Sequence, residues 1–385
     1  IEGQIDGFGF FDFGEDSSKI IDVRQWGNVK LHNRGSQFYE ADNLTGFSAT
    51  DEPDLTGVTN MSDTFRSASS FADGVDGWTV GGVENMSGMF QDAAAFAGDP
   101  SSWNVANVTD MSEMFSGASA FDGDLNGWDV SNVESMRSMF DSSSFTGDLD
   151  GWTVTSVTDM SSMFRNSPFN GNISTWQVNA VTDMSRMFFD AESFSGDIGA
   201  WTVSSVTDMA WMFAEASSFA GDLSGWDVSS VTDMSYMFQN AQAFTSDLNG
   251  PDWDTSSVTN MKFMFNGATS FNGNVSTWTT TNVTDMESMF EDAGAFAGDL
   301  SGWDVSNVEY MAEMFYRASS FNSDISGWHV GAVLSGGMYR MFGSASAFDQ
   351  DLSGWCVTNI AMEPFGFDTG SGMSEVDLPV WGTCP

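Results

Sequence analysis

Eight aspartates recur four positions before a repeated tryptophan, and their carboxylates are the groups in this sequence best suited to bind a metal ion. They are Asp99, Asp124, Asp148, Asp197, Asp222, Asp299, Asp324 and Asp351, with Asn172 and Asn274 in the same place in two further repeats. If the repeats stack in register, neighbouring carboxylates lie about 5 Å apart. Calcium accepts many carboxylate and carbonyl oxygens in loose geometry. The column therefore predicts bound Ca²⁺.

The same spacing has a second explanation that needs no ion. An aspartate that follows a glycine can accept a hydrogen bond from its own backbone two residues on and form an Asx turn. Solvent and salt would then screen the remaining charge. The sequence leaves both interpretations open.

A second acidic column lies seven residues after the tryptophan. Its position before a Met-x-x-Met-Phe motif is typical of a helix N-cap, where a side-chain oxygen accepts a hydrogen bond from an unpaired backbone N–H. The members are Asp110, Asp159, Asp183, Asp208, Asp233 and Asp285. We therefore expect this column to stabilise local structure.

Catalytic groups are sparse. The chain has only two histidines, His32 and His329, without a recurring Ser or Cys partner. There is no glycine-rich phosphate loop after a strand and no histidine pair with zinc spacing. A catalytic site would break a repeat at one place, whereas the aspartate columns continue almost evenly. We predict that the protein is not an enzyme and assign no catalytic residue.

The elements that position these columns are set by the repeat. Twelve tryptophans recur, mostly 25 residues apart: Trp78, Trp103, Trp128, Trp152, Trp176, Trp201, Trp226, Trp253, Trp278, Trp303, Trp328 and Trp355. One such coil cannot bury its own apolar side, so the pattern predicts an α/β solenoid of about twelve stacked coils. Met-x-x-Met-Phe predicts a short helix or 3₁₀ turn in each coil, and Gly-Asp-Leu-Ser-Gly-Trp a short parallel strand. The sheet is expected on the concave side of a curved stack.

The apolar columns predict the core. The Met-x-x-Met-Phe motif holds 22 of the 25 methionines, and two columns hold 24 of the 34 phenylalanines. Thioethers fill irregular gaps, so we interpret the methionines as packing residues. The tryptophans are interpreted as the corner of each coil. An alternative is a partly exposed aromatic row that stacks on sugar rings.

The ends differ from the repeat. We predict an N-terminal cap or degenerate first coil at 1–57, the repeats at 58–355 and a C-terminal cap at 356–385. Cys356 and Cys384 are predicted to form a disulfide in the C-terminal cap, because a metal pair would need further Cys or His nearby.

The charge excludes whole classes of partner. The formal net charge is −43, from 54 acidic and 11 basic residues. Nucleic acids and anionic membranes bind largely through Lys and Arg, so we expect neither as a partner. No apolar run approaches the roughly 20 residues that span a bilayer. The first residues, I-E-G-Q, have neither the basic nor the apolar region of a signal peptide, and we expect the chain to be a piece of a longer exported protein.

The repeat also resembles a known family. The stretch W-D-V-S-S-V-T-D-M-S-Y-M-F at 226–238 is similar to the repeat of the BspA-like leucine-rich-repeat surface proteins, also described as a mycoplasma lipoprotein-type domain of unknown function. The match covers roughly residues 20–360. It implies a right-handed solenoid similar to leucine-rich-repeat proteins, exposed at the cell surface or secreted.

The resemblance leaves the ligand unassigned. We expect a monomer that mediates adhesion or binds a protein or glycan at the cell surface, through an acidic concave face with bridging calcium. One alternative is a carbohydrate-binding or polysaccharide-active solenoid. Another is a passive structural stalk whose charge keeps it soluble.

Overall fold

The computed structural model describes residues 5–9 and 17–385. It divides into two compact units, Ile1–Val181 and Thr182–Pro385. This division falls inside the predicted repeat region and does not test the predicted cap boundaries, which stay predictions. Parts of the predicted N-terminal cap, 1–4 and 10–16, lie outside the described residues.

Regular secondary structure is scarce in the described part of the chain. Two short strands, β1 (Ile5–Phe8) and β2 (Val29–Leu31), pair in parallel with Ile5 opposite Val29. Two 3₁₀ helices span Ser17–Lys19 and Glu375–Asp377. Turns, bends, isolated bridges and irregular backbone form the rest.

The predicted apolar columns form the core of each unit. The Met and Phe side chains of the Met-x-x-Met-Phe motifs from Met86 to Phe342 are fully buried. In the first unit the phenylalanines of this column from Phe65, which follows Thr64 in a degenerate motif, to Phe164 stack with ring centroids 5.4–5.8 Å apart. In the second unit those from Phe188 to Phe342 stack at 5.5–5.8 Å. Each coil therefore buries its apolar side against its neighbours, as a solenoid requires.

The Met-x-x-Met-Phe motif begins an eight-residue segment of overlapping turns, which we call the turn segment and number from its first methionine. In segment 286–293, the N–H groups of Met289, Glu291 and Ala293 donate to carbonyls three residues back. The N–H groups at positions 1, 3, 5 and 7 donate instead to the next coil, at 2.8–2.9 Å. Positions 3 and 7, Ser288 and Asp292, have φ of 52° and 57°. The segment therefore links coils by backbone hydrogen bonds without being a strand.

This geometry corrects the predicted helix. Within the described residues 58–355 there is no α-helix or 3₁₀ helix. The turns supply the i to i+3 spacing that also characterises a helix, but a left-handed residue every fourth position interrupts helical continuity. A helix would also use within one coil the N–H groups that here connect neighbouring coils.

The predicted strand is also misplaced. Gly-Asp-Leu-Ser-Gly-Trp forms no strand in the described coils, and the parallel pairing consists of isolated bridges at the residue before each turn segment. In the first unit these bridges run from Asn60 to Asp159, and in the second from Asp183 to Tyr310. The handedness and curvature of the stack stay predictions.

The C-terminal cap contains the predicted disulfide between Cys356 and Cys384. Phe367 is buried and packs edge-on against Phe342 and Trp381, at 5.3 and 5.0 Å between ring centroids. The cap thus covers the Phe column of the last coil. None of the described residues forms a helix long and apolar enough to cross a membrane.

Candidate functional site

The eight aspartates predicted to bind calcium occupy exposed turns. Seven of them accept a hydrogen bond from the backbone N–H two residues later, at 2.9–3.2 Å. Asp148 instead accepts from the N–H of Asn172 in the next coil, at 2.8 Å. Hydrogen bonds from Ser101 and Ser326 lower the pKa of Asp99 and Asp324. This is the geometry of the Asx-turn interpretation.

The structure does not bring these carboxylates together as a ligand set. Within residues 5–9 and 17–385, no three His, Cys, Asp or Glu side chains are grouped so that they could hold one ion. Calcium binding therefore stays a prediction.

The second acidic column satisfies backbone donors, as predicted, although no helix follows it. Each of its six aspartates accepts from the N–H two residues later at 2.8–2.9 Å. In the second unit Asp183, Asp208 and Asp233 are consecutive members of the row of parallel bridges. Burial raises the pKa of Asp208, and the carboxylates of Asp183 and Asp233 raise it further against the lowering effect of the Ala210 N–H.

We expect Asp208→Asn to stabilise the second unit at pH 7 by about 0.5 kcal/mol, a small value because the side chain is partly exposed and solvent screens its charge. The amide oxygen can still accept from Ala210, as Asn85 does from Ser87 at 2.8 Å in the same column. Because its pKa is raised, the ionised Asp208 destabilises the fold, and this cost disappears as the pH falls through that pKa. Urea unfolding at pH 7 and at pH 3 should therefore show a gain only at pH 7.

The matched control is Asp324→Asn, in an exposed Asx turn whose aspartate has a lowered pKa. It should give no gain at pH 7. Equal stabilisation by the two variants would contradict a specific cost at Asp208.

The tryptophan column is buried, which makes the alternative of an exposed aromatic row in this column wrong. All twelve side chains are at most 4% exposed. In ten of them the indole N–H donates to a carbonyl in the preceding coil, at 2.6–3.1 Å. Each such tryptophan is therefore a structural corner with a satisfied polar group.

One surface of the turn segments varies in residue type from coil to coil. Positions 2, 3, 6 and 7 of the turn segments lie beside the columns of Met, Phe and Ala core residues, and we call them the turn face. Most of these side chains are at least partly exposed, although several, such as Ala214 and Ser288, are buried. All seven basic residues between 58 and 355 lie on it: Arg66, Arg137, Arg165, Arg186, Lys262, Arg317 and Arg340. Of the 39 acidic residues in the same stretch, only ten lie there. The turn face is thus nearly balanced in charge, whereas every other part of the repeat surface is purely acidic.

Most of these cations are paired within the turn face. Six of the seven lie within 4.0 Å of a carboxylate, the shortest being Lys262 with Glu287 at 2.7 Å. Arg186 is the exception among the described residues. It is exposed, and its guanidinium lies 6.0 Å from the ring centroid of Trp211.

Three adjacent coils of the second unit place an aromatic residue at position 3 of the turn segment. We call Trp211, Tyr236 and Phe263 the aromatic stack. Their rings are nearly parallel, with centroids 3.8 Å apart for the first pair and 4.8 Å for the second. Phe189 packs edge-on against Trp211 at 5.7 Å. All three members of the stack are partly exposed.

Position 3 is an unusual place for large side chains. Trp211, Tyr236 and Phe263 have φ of 64°, 60° and 56°, a region that bulky residues rarely adopt. Other coils have small or charged residues there: Asp63, Gly88, Glu113, Ser138, Ser162, Arg186, Ser288, Glu313 and Arg340. Tyr236 stacks between the other two rings, so both of its ring faces are covered. The fold alone does not require this arrangement.

The sequence contains the signal for this site. The columns that repeat define the core, but the site lies in a column whose residue type changes abruptly between coils. Aligning position 3 on the methionines shows Arg, Trp, Tyr, Phe and Ser in succession from Arg186 to Ser288.

Comparison with solved structures finds bacterial leucine-rich-repeat proteins. One from Eubacterium ventriosum is 11% identical, with 99% of this chain and 91% of that chain covered and a TM-score of 0.37. One from Bacteroides ovatus is 10% identical, with coverages of 84% and 77% and a TM-score of 0.41. An internalin from Listeria monocytogenes is 10% identical, with coverages of 94% and 84% and a TM-score of 0.22.

No curated protein matches the sequence significantly. The family described as "Mycoplasma protein of unknown function, DUF285" matches residues 32–148, 141–251, 249–355 and 335–368. These matches follow one another along nearly the whole repeat and confirm the resemblance drawn from it. The chain therefore belongs to this family of repeat proteins, whose function its description leaves open.

Proposed function

We propose that this repeat protein is a non-enzymatic binding protein, secreted or exposed at the cell surface, that attaches to a protein partner through the turn face of its second unit. The observation that carries the proposal is the aromatic stack of Trp211, Tyr236 and Phe263. It breaks the repeat in three adjacent coils, at a backbone position unfavourable for large side chains.

The composition of this surface supports a protein partner. Trp, Tyr and Arg are the residues most enriched among those that dominate binding energy at protein interfaces. Trp211, Tyr236 and Arg186 lie within one column of the turn face. A sugar would need an open ring face, and both faces of the central ring, Tyr236, are covered by its neighbours at 3.8 and 4.8 Å.

Two further features support a site of action outside the cell. The disulfide between Cys356 and Cys384 suits an oxidising compartment. The net charge of −43 keeps an exported repeat protein soluble. Bridging calcium is a separate prediction, and this proposal does not depend on it.

The test compares two variants of equal net charge. Trp211→Ser/Tyr236→Ser/Phe263→Ser introduces the residue found at position 3 in three other coils. Tyr310→Ser removes a tyrosine that is 44% exposed but lies outside the turn face. Beads coated with each protein are applied to an array that carries extracellular proteins in one set of spots and polysaccharides in another, with soluble oligosaccharide release as the assay for turnover.

We expect wild-type beads to bind protein spots. Binding should fall at least tenfold for the triple variant and should not change for Tyr310→Ser. Circular dichroism should show that both variants are folded. Binding confined to polysaccharide spots, or measurable turnover, would favour the carbohydrate-active alternative. Equal binding by all three proteins would exclude the aromatic stack as the site.

A further inference from the structure

We infer that the C-terminal cap has a second binding site, which takes an extended peptide segment of another protein with apolar side chains flanked by Lys or Arg. The site is a groove between the last repeat coil and the cap, and we call it the cap groove. It is separate from the aromatic stack and goes beyond the proposed function. Its cavity of about 310 Å³ is lined by Ser335, Gly336, Tyr339 and the cap residues 360–365.

The cap groove forms where the backbone hydrogen bonds between the last coil and the cap are interrupted. In turn segment 338–345, the N–H groups of positions 3, 5 and 7 donate to cap carbonyls at 2.7–3.2 Å. The N–H of Met338, at position 1, donates to no acceptor among the described residues. This coil also has two residues more than the preceding coil between its tryptophan and its turn segment, around Gly336. The insertion and the cap therefore stand apart beside Met338.

The groove presents apolar side chains that the core does not use. Met362 and Phe365 are 76% and 72% exposed, and Phe365 stacks on Tyr339 at 6.0 Å between ring centroids. The buried Phe367, and neither of these two, covers the Phe column of the last coil. Exposed apolar side chains around a concavity are typical of sites that bind the apolar anchors of a partner. The cavity volume lies at the lower end of the roughly 300–1,000 Å³ of ligand pockets, which suits a few side chains.

The open backbone hydrogen bond favours a peptide as the ligand. Met338 is fully buried, and buried backbone N–H groups in proteins are nearly always paired. In segment 286–293 the corresponding N–H, that of Met286, donates to the next coil at 2.9 Å. An extended peptide in the groove has the carbonyl oxygens that the cap does not supply at this point, as a strand has when it adds to the edge of a sheet.

The charge of the cap determines which residues should flank the apolar anchors. Residues 341–385 include six acidic residues and no Lys, Arg or His. Glu363 lines the groove, and burial together with the carboxylates of Asp368 and Glu375 raises its pKa. Arg340, beside the groove, is already paired with a carboxylate of the preceding coil at 3.6 Å. A partner with Lys or Arg next to its anchors is therefore attracted, and an acidic partner is repelled.

Fluorescence anisotropy with the whole chain and three dye-labelled peptides tests the inference. The peptides are Gly-Lys-Leu-Phe-Lys-Gly, Gly-Glu-Leu-Phe-Glu-Gly and Gly-Lys-Ser-Ser-Lys-Gly. We expect the first to bind with a dissociation constant of about 100 μM and the other two to bind at least tenfold more weakly. Binding of the first should weaken between about 50 and 500 mM NaCl, because salt screens the attraction. Equal binding of the first and third peptides, stronger binding of the second, or binding of none would overturn the inference.

Variants locate the binding site. Phe365→Ser and Glu363→Gln should each weaken binding of the first peptide at least fivefold, and the effect of Glu363→Gln should shrink at about 500 mM NaCl because it removes only a charge. The matched control is Val380→Ser, which removes an exposed valine of the same cap outside the groove. It should bind like the wild type, and circular dichroism should show that all three variants are folded. Unchanged binding by Phe365→Ser would overturn the inference.

The two sites can be tested separately. The triple variant of the aromatic stack should bind the first peptide as the wild type does, and Phe365→Ser should keep the binding of protein spots through the aromatic stack. If no peptide binds but the stack still captures array proteins, the cap groove is excluded and the proposed function stands. If the peptide binds at the cap but the triple variant loses no array binding, the cap groove stands and the aromatic stack is excluded as a site.

Discussion

Phe265→Ala is expected to lower the free energy of unfolding of the second unit by about 4 kcal/mol. The Phe265 side chain is fully buried. Its ring stacks between those of Phe238 and Phe290, at 5.5 Å from each, and lies 3.9 Å from that of Phe271. Alanine would leave a cavity in the middle of the column, and the rings on both sides are held by their own coils and cannot close it.

The matched control is Phe263→Ala, in the same turn segment. Phe263 is partly exposed, and its ring stacks on only one other, that of Tyr236 at 4.8 Å. We expect it to cost about 1 kcal/mol or less, because a partly exposed ring at the surface loses less burial and leaves no enclosed cavity. Urea unfolding followed by circular dichroism measures both values. Similar losses for the two variants would mean that the motif phenylalanines do not form the core of the stack.

The core was predictable because it recurs. A residue such as Met234 or Phe238 is buried in every coil for the same reason, so periodicity alone identifies the column. The disulfide was predictable for a related reason: Cys356 and Cys384 are the only cysteines and flank a cap with little core of its own.

The local backbone was not predictable from apolar spacing. The spacing of Met286, Met289 and Phe290 fits a helix and a run of turns equally well, because both place residues three and four apart on one side. The distinction lies in the residues between them, such as Ser288 and Asp292, which adopt left-handed φ. Small polar residues tolerate that region better than most others, so their recurrence at positions 3 and 7 is the signal that apolar periodicity omits.

The candidate site was missed because it is an exception. The most regular polar column is that of Asp99 and its equivalents, and the Asx turns explain its regularity. Trp211 is one of 15 tryptophans, but it does not belong to the repeated column. In a solenoid the fold explains what every coil shares, whereas a binding site is expected where a few neighbouring coils differ.

Trp103→Phe is expected to lower the free energy of unfolding of the first unit by about 2–3 kcal/mol, whereas Trp78→Phe in the preceding coil should cost close to zero. Both side chains are buried, at 4% and 3% exposure. The Trp103 indole N–H donates to the carbonyl of Val75 at 3.1 Å. The Trp78 N–H has no hydrogen-bond partner among the described residues.

The difference between the two losses in unfolding free energy measures the contribution of the indole hydrogen bond. Both substitutions remove similar apolar area, but Trp103→Phe also removes a hydrogen bond, whereas Trp78→Phe removes a buried unsatisfied donor that costs about 1–3 kcal/mol. Pro53 occupies the position eight residues before Met61 that the later coils fill with tryptophan, so the coil before Trp78 lacks that tryptophan corner. Chemical unfolding of the first unit followed by circular dichroism measures the two values. A difference near zero would show that indole packing alone makes the corner, and that the N–H to carbonyl bonds repeated along the column add nothing to stability.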